Sequence, residues 1–322
     1  MKVVACYNPR AGGGKFQRQA PRLRTLFEKH SVDATLLEIC GAGFNETLYQ
    51  TLESETFDAI VGIGGDGTHF HLINTLLRFG KSHPERPQPR YVFLPFGTGN
   101  NIAKSLRLKP GPRNMPTAIA NLTEGIDKKL DLGTWSGYYF ADALSVGLDA
   151  RILHFRNKIS EQLQNHVLRH LIHAYIIYAL AAVRAMFSKC QFRMEILIDE
   201  KRWYEGNAAS VVVNNTRIYG GEFDLTPECR ADDGLLDIAL TRSRVEHIYR
   251  FIFAYRHLPS FLRRLFVSNN SGSAWIQGRH VEILVNTPIP AQVDGELFPN
   301  SSTFSIGVAD GAVTIKVGDD GA

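Results

Sequence analysis

Cysteine is scarce in this chain. The four in 322 residues, Cys6, Cys40, Cys190 and Cys229, are scattered with no CxxC pair. That excludes a zinc ribbon and a disulfide framework, and makes reduced thiols in a cytoplasmic protein the simplest reading. Strong charge is also missing. Lys and Arg number 36 against 32 Asp and Glu, a net charge of +4. This mild excess permits attraction to an acidic membrane surface or a nucleotide without requiring either, and no nucleic-acid partner is expected. No uncharged apolar run reaches the roughly 18 residues of a spanning helix. The best candidate, Leu171 to Phe187, holds His173 and Arg184 and has basic residues close at both ends. It reads as a helix packed in the second half of the chain, with a face available to a lipid surface. The opening apolar run is too short for a signal peptide and stops at Asn8-Pro9, so it reads as a first strand. Internal repeats and low-complexity tracts are absent. His166, His170 and His173 share a helical face with no carboxylate to complete a zinc motif, and read as a polar stripe.

What remains is an ordinary globular composition, with 44% hydrophobic and 21% charged residues, in a chain longer than one core usually supports. Two domains are expected, residues 1–130 and 131–322, with the C-terminal segment free to pack back on the first. The first alternates strand-like runs (Val3 to Tyr7, Asp33 to Ile39, Ala59 to Ile63, Tyr91 to Leu94) with helical ones (Phe16 to Lys29, Asn45 to Leu52, His69 to Phe79, Ile102 to Leu106). That alternation predicts a Rossmann-like α/β domain with a parallel sheet. The second carries short strand-like runs, Tyr138 to Ser145, Gln191 to Ile198, Ala208 to Val213, Leu235 to Thr241, Val281 to Val285, Thr303 to Val308 and Val313 to Val317, interrupted by helical insertions from about Ile152 to Ser188 and Val245 to Val267. It reads as a β-sandwich.

Three turns fall at the carboxyl ends of predicted strands, where ligands of open α/β sheets sit. They are Asn8-Pro9-Arg10-Ala11-Gly12-Gly13-Gly14-Lys15, Gly64-Gly65-Asp66-Gly67-Thr68, and Pro95-Phe96-Gly97-Thr98-Gly99-Asn100-Asn101. Glycine turns aim backbone N–H groups into one concavity, which suits phosphates. Each turn alone is commonplace, but three in one small domain converge on a nucleotide pocket. Asp66 repels a bare phosphate and makes sense if Mg²⁺ accompanies the nucleotide. Gly62-x-Gly64-x-x-Gly67 fits the dinucleotide fingerprint by spacing but lacks the later acidic residue, and Gly14-Lys15 is followed by Phe16 where a Walker loop needs Ser or Thr. Lys15 remains available to a phosphate as a point charge. In the second half, Asp232-Asp233-Gly234-Leu235 and Asp294-Gly295-Glu296 read equally as plain turns or as carboxylates placed for chemistry. A basic helix end at Arg256, Arg263 and Arg264 among phenylalanines is a candidate membrane contact.

Taken in order, these motifs resemble the diacylglycerol-kinase catalytic family, including soluble bacterial lipid kinases and sphingosine kinases. The resemblance also runs through Asp131-Leu132-Gly133, Ser145-Val146-Gly147-Leu148-Asp149-Ala150, Asn215 with Tyr219-Gly220-Gly221, and Asp233-Gly234-Leu235-Leu236-Asp237. It implies an active cleft between the two domains. It implies ATP held by Asn8, Gly12, Lys15, Gly64, Gly65, Asp66, Gly67, Thr68, Gly97, Thr98 and Asn100. It implies Mg²⁺ at Asp233 with the carbonyls of Arg230 and Leu235. It also implies a proton acceptor at Glu296, with Asp294 and Asp66 as its acidic companions. The implied partner is a lipid taken from a membrane surface by a protein peripheral to it; a homodimer is compatible.

The chain departs from the family pattern at the cleft. Phe70-His71 stand for Asn-Glu, Asn101 for Asp, Asp142 for Asn, Glu222 for a glycine, and Ile39 or Cys40 for a threonine. These changes suggest a divergent subgroup with an altered acceptor or weakened activity. An ATP-dependent lipid kinase is the expected function. A kinase of a soluble hydroxyl, as in NAD kinases, and a non-catalytic nucleotide or lipid sensor are its rivals.

Overall fold

The computed structural model describes residues 1–9, 11, 14, 16–39, 41, 43–97, 99–163, 174–188, 190–259 and 275–318. Gly12, Lys15 and Thr98 lie outside the described residues, as do Cys40, the three histidines at 166, 170 and 173, and the arginines at 263 and 264.

The first half runs β1 (Lys2–Tyr7), a 3-10 turn (Phe16–Arg18), α1 (Ala20–Lys29), β2 (Asp33–Glu38), α2 (Phe44–Ser54), β3 (Ala59–Gly64), α3 (Asp66–Ser82), β4 (Arg90–Pro95), α4 (Asn101–Ser105) and α5 (Met115–Glu124). The strands are parallel in the order β2-β1-β3-β4. Their side chains alternate between two cores. Val3, Ala5, Val61 and Ile63 pack with Phe16, Leu23, Ile119 and Leu122. Val4, Cys6 and Ile60 pack with Leu48, Leu52, Leu72 and Leu76 on the other face. Burial on both faces explains why these strands read as continuous apolar runs. The helix expected over Phe16 to Lys29 is divided, because Pro21 sets the start of α1. α5 lies in a stretch for which no element was expected.

The second half continues with β5 (Ile126–Trp135), β6 (Tyr138–Phe140), β7 (Ala143–Gly147), α6 (Leu148–Leu163), α7 (Ala174–Met186), β8 (Phe192–Ile198), β9 (Lys201–Ala208), β10 (Ser210–Asn214), β11 (Ile218–Tyr219), β12 (Phe223–Asp224), β13 (Leu236–Thr241), α8 (Arg244–Ala254), β14 (Trp275–Gly278), β15 (His280–Val293) and β16 (Glu296–Val317). It is β-sandwich-like. One layer runs β14-β13-β10-β7 and ends on the last residues of β15. The other contains β9, β8, the start of β15, β16, β5 and β6. β15 serves both layers: Val281–Val285 pair with β8, and Ala291–Val293 with β7. The ladder shifts register between Leu284 and Ala291, around Pro288 and Pro290, whose missing N–H groups force the bend. Leu144, Val211 and Ile238 of one layer share a core with Ile196, Ile283 and Phe304 of the other.

β16 joins the two halves. It starts at the Asp294-Gly295 turn, pairs along β5, and reaches β4, where Ile315 is the parallel partner of Tyr91. Its last residues, Val313, Ile315 and Val317, are buried in the core of the first domain. Residue 130 therefore falls inside a strand, β5, rather than in a linker. α7 buries Ala181 and Ala185 and leaves Ile176, Leu180 and Val183 more than half exposed. Among the described residues no helix is long and apolar enough to cross a membrane.

Candidate active site

The turns after β1, β3 and β4 meet at one end of the parallel sheet. The Asn8 N–H donates to Ile63 O at 3.1 Å, and the N–H groups of Phe96 and Gly97 both donate to Gly64 O, at 2.7 and 3.1 Å. α3 begins at Asp66, three residues earlier than expected, so Asp66, Gly67 and Thr68 form its first turn. A carboxylate there meets the positive end of the helix. The turns after β3 and β4 touch through backbone: a Cβ on Gly97 would lie 2.4 Å from Gly65 Cα, so a side chain at that position is incompatible with the approach. Asn100 has both ends of its amide bonded to Gly97, Nδ2 to O and Oδ1 to N–H, each at 2.8 Å. Its side chain closes the loop on itself.

The second domain reaches this end of the sheet through the β15–β16 hairpin. Asp294 and Gly295 both have positive φ, 47° and 85°, as a two-residue type I′ turn requires. Glu296 follows, and its Oε1 lies where a Cβ on Gly67 would come within 2.6 Å. The carboxylate of one domain thus rests on the phosphate-type turn of the other. Asp294 is 2% exposed. Its carboxylate accepts the N–H groups of Ala141 at 2.8 Å, Asp142 at 2.9 Å and Ala143 at 3.0 Å. This clamp interrupts the strand expected from Tyr138 to Ser145 and splits it into β6 and β7. It also means that Asp294, taken from the sequence as a catalytic group beside Glu296, fixes the hairpin and does not open onto the crevice.

Two further carboxyl groups crowd the same place. Asp66 Oδ1 is enclosed without a hydrogen-bond partner. Burial pushes its carboxyl up, against the backbone N–H groups of Asn101, Ile102 and Asn100 and the Lys104 ammonium. Asp142 accepts from Asn101 Nδ2 at 2.5 Å and from the Thr216 hydroxyl at 2.7 Å. Burial first, then the charges of Asp294 and Asp66, push its carboxyl well above the usual carboxylate range. Burial likewise raises Asp294. Lys104 closes one side, donating to Gly221 O at 2.5 Å and to Glu222 Oε1 at 2.9 Å. The glycine replaced by Glu222 is thereby occupied by an ion-paired side chain that also meets Arg256. Phe70, where the family has Asn, is 3% exposed and packs against Tyr138 and Phe298 of the second domain.

The Asp233 loop is held by a set of contacts of its own. The Asp131 carboxylate accepts the N–H groups of Gly234 at 2.7 Å and Gly311 at 2.6 Å, and Asp233 accepts that of Leu235 at 3.0 Å. The Arg230 side chain turns away to Asp232. Asp237 is buried with Oδ1 unpartnered, and burial pushes its carboxyl up to about 6, helped by Asp233 and Glu228. Among the described residues no three His, Cys, Asp or Glu side chains stand close enough to hold a metal by themselves. A cation here needs backbone carbonyls and water. The donors are all oxygen and one buried oxygen lacks a partner, which suits a hard divalent ion.

An apolar cavity of about 460 Å³ opens between α6, α7 and α8, bounded by Ile152, Tyr178, Ala182, Phe223, Phe251 and Ile252. Phe223 and Tyr178 also stand beside Gly220. The next residue, Gly221, donates its N–H to Asn101 Oδ1 at 2.6 Å. The cavity and the crevice are therefore separated by the short Tyr219–Phe223 segment. Sequence reasoning missed this cavity. The repeat of Ile248, Phe251 and Ile252 along α8, followed by Tyr255 just past its end, was its available signal.

Two family descriptions match the chain: Diacylglycerol kinase catalytic domain over residues 2–135, and YegS C-terminal NAD kinase beta sandwich-like domain over residues 143–316. The diacylglycerol kinase of Bacillus subtilis is 23% identical over 291 residues, 90% of this chain and 88% of its own. A crystal structure of a diacylglycerol kinase from Bacillus anthracis superposes with a TM-score of 0.71 at 24% identity, covering 100% of this chain and 98% of the other. An NAD kinase from Archaeoglobus fulgidus, solved in complex with ATP, superposes with a TM-score of 0.54 at 11% identity, covering 100% and 95%. Both structures show likeness of fold.

Proposed function

Because the chain belongs to the family that joins a diacylglycerol kinase catalytic domain to a YegS C-terminal β-sandwich-like domain, we propose that it is an ATP-dependent kinase. It transfers the γ-phosphoryl group of ATP to a hydroxyl of a diacylglycerol-like or sphingoid lipid. The observation that carries this reading is the seat of Glu296 on Gly67. Phosphoryl transfer needs positioned charge more than covalent help. The turn Gly65 to Thr68, at the start of α3, offers backbone N–H groups to the nucleotide's phosphates, while the N–H groups of Asn8 and Gly97 hold the neighbouring turns against it, with Gly12, Lys15 and Thr98 belonging to those turns in sequence. Mg²⁺ bound with the nucleotide supplies positive charge beside the phosphates, and Asp66, enclosed with a free oxygen, is the group that would face it. Glu296 accepts the proton of the attacking hydroxyl, for which it must be ionised and within hydrogen-bond reach. Asp294 holds Glu296 in place through the β6–β7 break. A second cation would sit at Asp233, with the carbonyls of Arg230 and Leu235, where it offsets the repulsion among Asp233, Asp237 and Glu228.

The apolar cavity favours a lipid over a soluble acceptor such as NAD. Its lining bears almost no polar surface, so ribose or nicotinamide groups would lose their hydrogen bonds there, whereas each buried methylene gains about 0.8 kcal/mol. The exposed apolar residues of α7 beside it suit a protein that visits a cytoplasmic membrane face. The test uses the purified protein with γ-labelled ATP, a panel of lipids in mixed micelles, and NAD as a soluble acceptor. Labelled lipid is expected, with transfer lowered about 10²-fold or more in Glu296→Ala. Equal product from both proteins would remove Glu296 from the chemistry. Transfer to NAD alone would decide for the soluble-acceptor reading, and ATP binding with no transfer to any acceptor for a sensor.

A further inference from the structure

Two of the departures at the cleft are in contact with each other. Asn101 opens α4 in the first domain, and Asp142 stands in the break between β6 and β7 in the second. Asn101 Nδ2 donates to Asp142 Oδ2 at 2.5 Å, Asn101 Oδ1 accepts the Gly221 N–H at 2.6 Å, and Asp142 Oδ1 accepts the Thr216 hydroxyl at 2.7 Å. Every oxygen of the pair has a donor. The Asp142 N–H donates in turn to Asp294, which fixes the hairpin carrying Glu296. One short path thus links the loop beside Asp66 to the seat of Glu296.

The chemistry of these bonds is indifferent to which residue carries the carboxyl group. With the two residues exchanged, a carboxylate at 101 accepts from the Gly221 N–H and from the amide at 142. The amide oxygen at 142 then accepts the Thr216 hydroxyl. All three hydrogen bonds survive, and so does the total charge. We propose that Asn101 and Asp142 form a positioning pair that must place one carboxyl group at the junction of the two domains, beside Asp66 and Asp294, and that this chain supplies from the second domain the carboxyl that the family pattern supplies from the first. The loss at Asn101 and the gain at Asp142 are then a single reciprocal exchange, and the crevice keeps its complement of acidic groups. The part of this that concerns turnover rests on the kinase reading; the coupling of the pair does not.

Asp142→Asn separates this role from a merely structural one. It removes the carboxyl yet keeps each hydrogen bond, because the new amide can offer its oxygen to Asn101 and its NH₂ to the Thr216 oxygen. Asn101→Asp does the reverse, replacing the amide donor by a second carboxyl, so that the two carboxyls face each other with at most one shared proton between them. The experiment measures phosphoryl transfer and thermal unfolding for the unaltered chain, D142N, N101D and N101D/D142N. D142N is expected to unfold within about 2 °C of the unaltered chain and to lose about tenfold in kcat, with KM for ATP within about threefold. N101D is expected to lose both activity and several degrees of Tm. The double exchange should recover both, to within about threefold and 2 °C, a non-additivity that only contacting residues display. Full activity in D142N, or a double exchange no better than N101D, would overturn the proposal. If the unaltered chain phosphorylates no acceptor, the kinase reading falls by itself. The pair is then judged on Tm alone: recovery in the double exchange upholds the coupling, and additive losses refute it.

Discussion

Gly67→Ala tests the placement of Glu296 more sharply than removal of Glu296 itself. A Cβ at position 67 would stand 2.6 Å from Glu296 Oε1, and ordinary contact begins near 3.4 Å. The carboxylate must therefore retreat by roughly 0.8 Å. It is the far end of a flexible side chain, so the retreat is easy for folding. Gly67 lies within α3 and has no left-handed backbone angle to lose. Alanine is the better helix former there by about 0.5–1 kcal/mol. The substitution should thus leave Tm unchanged or raise it slightly.

Catalysis should respond in the opposite direction. A misplacement of about 1 Å at a reacting group costs up to about 10²-fold in rate, or about 2.7 kcal/mol of transition-state stabilisation. For 0.8 Å we expect kcat to fall by roughly 10- to 100-fold, with KM for ATP little changed, since the turn's backbone is undisturbed. The assay is transfer of label from ATP to lipid, beside circular-dichroism melts of the same preparations. A variant as stable and as active as the unaltered chain would show that Glu296 takes no part at the position it occupies. A variant that loses stability as well would show that Gly67 was needed for folding, and the argument from Glu296 would lose its support.

Three other outcomes follow from the same coordinates. Phe70→Ala removes a buried ring from the contact of α3 with Tyr138 and Phe298, and should destabilise the chain by about 3–5 kcal/mol in urea unfolding; a loss below 1 kcal/mol would mean that the domains are not packed through it. Burial pushes His69 down to about 3 while its Nδ1 shares a proton with the Tyr91 hydroxyl at 2.8 Å, so the unfolded chain binds a proton that the folded one refuses. Stability should fall by up to about 1.4 kcal/mol per pH unit as pH drops below the ordinary histidine value, and His69→Gln should flatten that slope between pH 6 and 4; parallel slopes would refute the assignment. Ala182→Phe fills part of the apolar cavity and should raise KM for a long-chain acceptor more than for a short-chain one, measured with lipids differing only in chain length.

The parallel sheet was legible because its strands are buried on both faces, so Val3–Tyr7 and Ala59–Gly64 stand out as apolar runs ending in glycine turns. The C-terminal strands were harder. β9 reads Lys-Arg-Trp-Tyr-Glu-Gly-Asn-Ala, a strand with one buried residue and little apolar alternation. β16 was expected as two strands, Thr303 to Val308 and Val313 to Val317, and the structure joins them across an irregularity at Ala309 to Val313 in the pairing with β5. The break at Asp142 could not be read locally, since it is imposed by a carboxylate about 150 residues away in sequence. For the same reason Asn101 and Asp142 looked like separate departures: nothing in either neighbourhood records that they meet.

The route of β16 bears on how the crevice is held. The strand begins at Glu296 and ends beside β4, so the proposed proton acceptor and the parallel sheet share one piece of backbone. A hinge between the domains would have to bend β16 and its partner β5 together. The one irregularity in their ladder lies between Ala309 and Val313, and bulges are where strands bend. That point is fixed by Asp131, which accepts the Gly311 N–H with one oxygen and the Gly234 N–H of the Asp233 loop with the other. The bulge cannot straighten, nor the loop shift, without losing a hydrogen bond to the same carboxylate. A cation bound at Asp233 would therefore stiffen, through Asp131, the strand that carries Glu296.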